Sequence, residues 1–373
     1  MRRVALFSTN FLEYSQTFVY EEITRHDRYA VDVFCRKRHL ADRFPFPRVH
    51  VGSSLYAVTR ECYGFHAAFR KSGFQLVHGH FGTGACYAVP YARRYRLPFV
   101  VTFHGYDVPL LSSSERLLPR NWPYALFSHG MLAQMTLGLC ASHELLELLL
   151  DLGVPREKLR LYHLGVDLSM FSRGPRPLLP RVVMVGRFIE KKGFEYGMRA
   201  FADALARGAR AELVLIGTGE REAKLRALAA SLQIEQAVVF AGVLPSPEVA
   251  KVLSESDVLM APSVVAIDGN RESGVIALKE ASASGLAVLG TYHGGIPEII
   301  DDGVTGFLVP ERDVSTLGER LHRVLTDRAL CAQLGRAGRA KMERQYDVNK
   351  QVKGELESLY DEAIALHRDN TAS

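Results

Sequence analysis

The chain has 373 residues, 47% of them hydrophobic and 23% charged, with a formal net charge of +5. That length and balance fit a folded protein with two separate cores and exclude disordered and collagen-like classes. No run of about 18 uncharged apolar residues occurs, which excludes a transmembrane helix, and Cys35, Cys62, Cys86, Cys140 and Cys331 are scattered without a CxxC, as reduced core thiols are.

The opening residues, "MRRVALFST", begin like a secretory leader, but the apolar run is too short. "RVALFST" (3–9) is instead expected to be the first strand of a cytoplasmic protein. "QTFVYEEI" (16–23) has a helical pattern, "AVDVFC" (30–35) is strand-like, and "SSLYAVTRECYGFHAAFRKSG" (53–73) predicts one helix. "FQLVHGH" (74–80) predicts a strand, "TGACYAVPYARRY" (83–95) a helix containing a proline, and "PFVVTFHG" (98–105) and "TLGLCAS" (136–142) further strands. "SHELLELLLDLG" (142–153) places a serine cap and a glycine stop around an apolar stripe. "SRGPRPLLP" (172–180) has the composition of a linker. Beyond it the alternation restarts: strands at 181–188, 211–217, 237–242, 257–263 and 286–291, with helices at 194–207 and 220–232. Such alternation predicts an α/β protein of two doubly wound parallel-sheet domains. Ligands of such sheets bind outside the carboxyl ends of the strands, so a cleft between the domains is expected.

Charge is unevenly spread. Residues 1–172 carry 20 Lys+Arg against 14 Asp+Glu, and the remainder carries 26 against 27. Either a solvated basic face or a half that meets an anionic surface accounts for this: lipid headgroups or a pyrophosphate-linked acceptor. Nucleic acid is not an expected partner.

Chemistry concentrates in a few places. In "MVGRFIEKKGF" (184–194) a strand ends at Gly186, and Arg187 and Lys192 flank a tight turn before a helix. Two cations at such a junction suit a diphosphate, although a charged surface loop has the same composition. "LIGTGE" (215–220) adds a lone GxG, which many βα turns need for positive φ. "TFHGYD" (102–107) puts His104 at the carboxyl end of a strand, as a sugar or proton-transfer contact or as a structural histidine. "VHGH" (77–80) has no third ligand nearby in sequence, and no metal is expected.

"GNRESGVIALKEASASGLAVLGTYHGGIPEII" (269–300) holds Glu272 and Glu280. The helix is expected to begin near Gly274. Eight residues at about 100° each turn roughly 80° past two full turns, so the two carboxylates are expected to face broadly one way. Carboxylates accept paired hydrogen bonds from vicinal diols, which fits the hydroxyls of a sugar nucleotide. "HGGIPEI" (293–299) offers bare backbone for close approach.

Together these segments resemble the retaining glycosyltransferases of family 4, which have the GT-B fold. "ESGVIALKE" resembles their EX7E motif. "VGRFIEKKG", "LVLIGTGE", "VVFAGVL", "SDVLMAPS", "GGIPEII" and "DGVTGFLVP" follow the family's order over nearly the whole chain. "SQTFVYEEI" and "TFHGYD" are similar to a subgroup of exopolysaccharide and colanic-acid-type transferases.

The resemblance implies an N-terminal acceptor domain over 1–172, with a crossover helix at about 346–373, and a donor domain over 173–345. It implies that Arg187 and Lys192 neutralise the departing diphosphate and that Glu280 holds the ribose. Glu272 and His104 would contact the transferred sugar. Backbone at Gly242, Val243 and Leu244 would read the base, with Gly294, Gly295 and Ile296 near sugar and phosphates. It implies no metal and no cofactor beyond the nucleotide-diphosphate sugar, a UDP-sugar before GDP-mannose.

Three positions depart from the family pattern. "TNFLEYSQTF" replaces a Gly-Gly after the first strand, Leu164 stands for an asparagine, and Val275 for a glycine. The acceptor is expected to be a glycan or a polyprenyl-diphosphate-linked oligosaccharide. The face carrying Arg60, Arg70 and Lys71 would meet the inner membrane leaflet, or else be a core helix with a basic rim. Alternatives are a soluble acceptor such as an antibiotic aglycone, or a GT-B sugar-nucleotide epimerase.

Overall fold

The computed structural model describes residues 1–12 and 16–372. It divides into two units, Met1–Gly165 joined by the segment from Val348 onward, and Val166–Asp347. The first unit is built on β1 (Arg2–Phe11), β2 (Tyr29–Arg38), β3 (Val49–Val51), β4 (Leu76–His80), β5 (Phe99–Phe103), β6 (Leu137–Cys140) and β7 (Leu159–Leu161). They lie in the order β3-β2-β1-β4-β5-β6-β7, all parallel. The second is built on β8 (Arg181–Val185), β9 (Glu212–Ile216), β10 (Val238–Gly242), β11 (Val258–Ala261), β12 (Ala287–Thr291) and β13 (Gly306–Val309). Their order is β10-β9-β8-β11-β12-β13, again all parallel.

In both sheets the order reverses beside the unit's first strand, between β1 and β4 and between β8 and β11. The crevice outside the carboxyl ends at that reversal is where doubly wound sheets take ligands. The strands are apolar on both faces because helices cover both: Val4, Ala5, Leu6 and Phe7 are all fully buried. Phe7 stacks on Phe34 with ring centroids 5.0 Å apart and meets Tyr91 at 5.1 Å, tying the sheet to the Phe81–Tyr95 helix.

The structure departs from the sequence reading in several places. The single helix expected over 53–73 is two, Tyr56–Thr59 and Tyr63–Ser72. Arg60 breaks them apart in a left-handed conformation, and the Cys62 amide donates to the Tyr91 hydroxyl at 2.8 Å instead of continuing a helix. The proline- and glycine-rich 172–180 segment belongs to the second unit. Arg176 pairs with Asp257, which also accepts from the Arg181 amide at 3.0 Å, and Phe171 is buried in the second unit's core. The division therefore falls at Gly165–Val166. Strands β3, β7 and β13 are too short for a periodic signal. Residues Glu13, Tyr14 and Ser15 of the "TNFLEYSQTF" loop lie outside the described residues.

The last helix, Glu357–Ala372, packs on the first unit. Glu357, 1% exposed, accepts hydrogen bonds from the amides of Asp27 (2.8 Å) and Arg28 (2.9 Å) and from Arg28 Nε (2.9 Å). Tyr29 donates to Asp361 at 2.7 Å.

Candidate functional site

β8 ends at Val185, and the chain reaches the Phe194–Ala206 helix through a short turn, Glu190–Lys192. Gly193 between them has φ +63°, and a Cβ there would lie 1.8 Å from the Pro262 carbonyl oxygen. Only glycine fits such a position. It lets the turn after β8 lie against the loop after β11, at the reversal of strand order. Gly217, the first glycine of the GxG, does the same for its neighbour, since a Cβ there would meet the Gly186 carbonyl oxygen at 1.9 Å.

Into this junction the loop before the Ile276–Ala283 helix brings Glu272. Lys192 Nζ donates to Glu272 Oε2 at 2.8 Å, and Lys191 Nζ lies 3.1 Å from Oε1 and donates to the Arg271 carbonyl at 3.0 Å. Glu272 and Lys191 are both buried. Burial alone would raise the Glu272 carboxyl, but the Lys191 and Lys192 ammoniums outweigh it and hold the group far below the usual carboxylate range. Burial lowers Lys191, against the opposing pull of Glu272. Oε1 accepts no aligned hydrogen bond, and the nearby Ser263 hydroxyl is buried without a partner among the described residues. Lys192 and Ser263 border a cavity of about 10 Å³, room for about one water. Arg187 is exposed, and its guanidinium has no carboxylate partner among the described residues.

Three residues of this junction escaped the sequence reading. Lys191 is not singled out there from its neighbour Lys192. His293 was taken only for part of a bare-backbone stretch, and Glu311 carried no motif. His293 Nε2 accepts from the Glu272 amide at 2.9 Å, and its Nδ1 bonds Glu311 Oε1 at 2.7 Å. Because Nε2 accepts, Nδ1 carries the proton and donates to the carboxylate. Glu311 Oε2 in turn accepts from the Val265 amide at 2.9 Å. This chain of bonds, with the two lysines, positions Glu272.

The helix begins at Ile276, not Gly274, so Glu272 stands on the preceding loop. The two carboxylates are therefore not related by helical rotation. Glu280 is on the helix and partly exposed. Its carboxylate has neither an ionic nor a hydrogen-bond partner among the described residues, and burial pushes it up to about 7. Gly242 ends β10 with φ +69°, and its carbonyl accepts from the Gly217 amide at 2.7 Å. Val243 beyond it is exposed and Leu244 half-buried. Gly294 has φ +54°, Gly295 precedes the short Ile296–Ile299 helix, and the Ile296 amide donates to the His293 carbonyl at 3.0 Å. The Ile296 side chain is core.

His104 lies in the first unit, just past β5. Its ring is held between Phe18 (4.9 Å) and Phe81 (4.3 Å), and its Nε2 bonds His80 Nδ1 at 3.0 Å. His80 Nε2 bonds Glu22 Oε1 at 2.9 Å, and Tyr162 donates to Glu22 Oε2 at 3.3 Å. Glu22 Oε1 accepts from His80 Nε2–H, and His80 Nδ1 then accepts from His104 Nε2–H. His104 Nδ1 is left as a bare acceptor, buried and without a partner among the described residues. Burial, then His80, lowers His104 well below the ordinary histidine range, which keeps the ring neutral.

The fold also supplies the third group that "VHGH" lacked in sequence. Glu22, His78 and His80 place ligand-type atoms within 4.8 Å of one another. Both ring nitrogens of each histidine are already in hydrogen bonds: His78 meets the Tyr360 and Thr102 hydroxyls, each at 2.7 Å. The residues form two hydrogen-bonded sets, His78 with Tyr360 and Thr102, and His80 with Glu22 and His104.

The three basic residues expected on one face have different surroundings. The Arg60 guanidinium lies 3.5 Å from the centre of the Phe127 ring, whereas Arg70 and Lys71 are exposed in the last turn of the Tyr63–Ser72 helix. No helix among the described residues is long and apolar enough to cross a membrane.

Two parallel-sheet units of this strand order, the second with a cation-rich junction at its switch point, define a GT-B protein. Residues 19–170 match the model of Glycosyltransferase Family 4, and residues 169–341 that of Glycosyl transferases group 1. The chain belongs to glycosyltransferase family 4. It is 36% identical over 266 residues to the "Putative colanic acid biosynthesis glycosyltransferase WcaL" of Escherichia coli (strain K12), a match covering 69% of this chain and 62% of that protein. It is 32% identical to the amylovoran biosynthesis glycosyltransferase AmsK of Erwinia amylovora, covering 66% and 60%. The chain thus spans about 60% of the length of these relatives. Among solved structures, Anabaena Alr3699/HepE in complex with UDP shares the fold with a TM-score of 0.78 at 17% identity, covering 97% of this chain and 100% of that one.

Proposed function

We propose that this protein transfers a hexose from a nucleotide-diphosphate sugar to a glycan or polyprenyl-diphosphate-linked oligosaccharide during polysaccharide synthesis, with retention of configuration and without a bound metal. One observation carries the reading. At the switch point of the second unit, a buried carboxylate is pre-oriented by Lys191, Lys192 and His293, beside an Arg187 with no carboxylate partner.

As the bond from the sugar's anomeric carbon to the diphosphate breaks, negative charge grows on the leaving oxygen. Arg187 and Lys192 are fixed cations that stabilise it. The acceptor hydroxyl attacks from the same face and gives its proton to the departing phosphate, so no protein nucleophile is needed. Glu272 Oε1, free of an aligned hydrogen bond, accepts from a sugar hydroxyl. Glu280, unpaired, accepts from the ribose diol. Backbone at Gly242–Leu244 meets the base, and the backbone around Gly294, Gly295 and Ile296 approaches the sugar and phosphates. The bare Nδ1 of His104 suits a further sugar hydroxyl.

A UDP-sugar is the favoured donor, GDP-mannose the next; HepE was solved with UDP. The names of WcaL and AmsK, colanic acid and amylovoran biosynthesis, favour polysaccharide as the product class. The proposed location is the cytoplasmic face of the membrane, with exposed Arg70 and Lys71 beside Tyr63 toward anionic headgroups.

The test is a thermal-shift panel of UDP, GDP, ADP and TDP, and of UDP-glucose and GDP-mannose, without metal. A ligand at 100 times its Kd adds about 2.7 kcal/mol, a shift of a few degrees. One nucleotide class is expected to raise Tm, with the shift lost in Glu280→Ala. No shift with any of the six compounds would sink the donor site. A bound donor whose sugar is epimerised without a new glycosidic bond would move the chain to another reaction class. Binding to anionic vesicles that is unchanged in Arg70→Gln/Lys71→Gln would remove the membrane face.

A further inference from the structure

The first unit contains a cavity of about 1120 Å³ that none of the chemistry above uses. It lies beside the Trp122–Gln134 helix and the segment leading into it. Four of its lining apolar side chains are unusually bare: Val58 is 82% exposed, Leu117 67%, Trp122 59% and Leu126 74%. A contiguous apolar surface of this kind needs an occupant.

The polar groups say what kind. Arg36, Arg60 and Arg116 line the same cavity and have no carboxylate partner among the described residues, and none of the described lining residues is acidic. Arg60 is held in place by the Phe127 ring and by a bond from its Nη1 to the Cys86 carbonyl at 3.3 Å. Two further lining residues, Thr9 and Tyr124, have buried hydroxyls without any hydrogen-bond partner among the described residues. Each such orphan is destabilising unless a ligand satisfies it. Three guanidiniums and two orphan hydroxyls fit a multiply charged oxyanion, and arginine forks favour phosphate. A free phosphate or pyrophosphate would leave the apolar wall and most of the volume unfilled.

We infer that this cavity binds the head and first isoprene units of a polyisoprenyl diphosphate. The diphosphate lies among Arg36, Arg60 and Arg116, the Thr9 and Tyr124 hydroxyls bond its oxygens, and the chain lies over Leu117, Trp122 and Leu126. Calling this ligand the acceptor rests on the transferase reading; the binding itself does not.

Trp122 is the only tryptophan of the chain and lines the cavity, so its emission reports occupancy in the intact protein. The probe is geranylgeranyl diphosphate below its micelle concentration, with no nucleotide present. A saturable change in Trp122 emission is expected. Geranylgeraniol and inorganic pyrophosphate are each expected to bind at least about tenfold more weakly, as is the diphosphate to Arg36→Gln/Arg116→Gln. Leu126→Asp, at an exposed position, should weaken binding without lowering Tm. The inference is overturned by no saturable change, by equal binding of the alcohol and the diphosphate, or by full affinity in both variants. The nucleotide panel separates the two ideas: prenyl binding without any nucleotide shift sinks the transferase reading alone, and a nucleotide shift without prenyl binding sinks this one alone.

Discussion

Lys192 and Glu272, 80 residues apart in the chain, share a hydrogen bond of 2.8 Å at the carboxyl ends of β8 and β11. The pair is both a structural tie and a preset charge arrangement. Lys192→Met leaves Glu272 with Lys191 alone in a buried setting. Unfolding free energy should fall by about 1–3 kcal/mol, and kcat by about 10²–10³-fold as a cation on the leaving diphosphate is lost. Denaturant unfolding and initial rates with the donor found in the nucleotide panel measure the two effects. Unchanged kcat would remove Lys192 from the chemistry.

Glu280 is under opposite pressure. Burial pushes its folded-state carboxyl up to about 7 from an ordinary 4.5. The folded protein then holds more protons than the unfolded chain between those values, so this group lowers stability as pH rises through that window. Glu280→Gln removes the effect. It should be more stable than the native chain at pH 8 by about 1–3 kcal/mol, equally stable near pH 4, and weaker in nucleotide binding. A variant less stable at pH 8 would mean that the carboxylate has a stabilising partner.

Glu357 shows the reverse sign. Burial raises its carboxyl, but the amides of Arg28 and Asp27 and the Arg28 side chain outweigh it and leave the group below its usual range. That stability is present above the unfolded value near 4.5 and is lost as pH falls through the folded one. Glu357→Ala should cost about 2–4 kcal/mol at pH 7 and flatten the acid limb of a Tm-against-pH curve. An acid limb of unchanged slope would assign acid sensitivity elsewhere, Glu272 being the next group held low.

His293 acts on Glu272 through its backbone amide. His293→Leu should lower kcat by about 10–100-fold through misplacement of the carboxylate while nucleotide Kd stays within about twofold. Glu311→Gln, which keeps an oxygen acceptor for Nδ1–H, should retain most of the rate. Loss of nucleotide affinity in step with kcat would make His293 a general support of the loop instead.

The ring nitrogens of His104 can be examined directly. Long-range ¹⁵N spectra should show a neutral ring protonated at Nε2, with Nδ1 bare, that does not protonate across the ordinary histidine range, because burial lowers the group. Glu22→Gln should disturb the His80 and His104 signals together through the shared hydrogen bonds. A His104 signal that Glu22→Gln leaves unmoved would show the rings to be uncoupled.

Much of this was legible from residues alone. The alternation of apolar runs and amphipathic segments predicts two parallel-sheet units because each strand must be apolar on both faces and each helix on one. Arg187 and Lys192 stood out as cations at a strand-to-helix junction, and Glu272 and Glu280 as carboxylates beside an apolar run. Arg60 breaking a helix was not legible, since the bond that replaces the helical one comes from Tyr91 on another helix.

The sequence by itself determined the fold class, the family and the elements that hold the donor-site candidates, since periodicity, glycine spacing and motif order are local properties. Only the tertiary structure decided that Glu272 stands off the helix, pinned by Lys191, Lys192 and His293, and that Glu22 ends a hydrogen-bonded chain running through His80 to His104. It alone put Arg36, Arg60 and Arg116 around one apolar cavity. Those relationships join residues tens or hundreds of positions apart, and hydrogen bonds, ion pairs and cavities depend on distance in space, which no local pattern encodes.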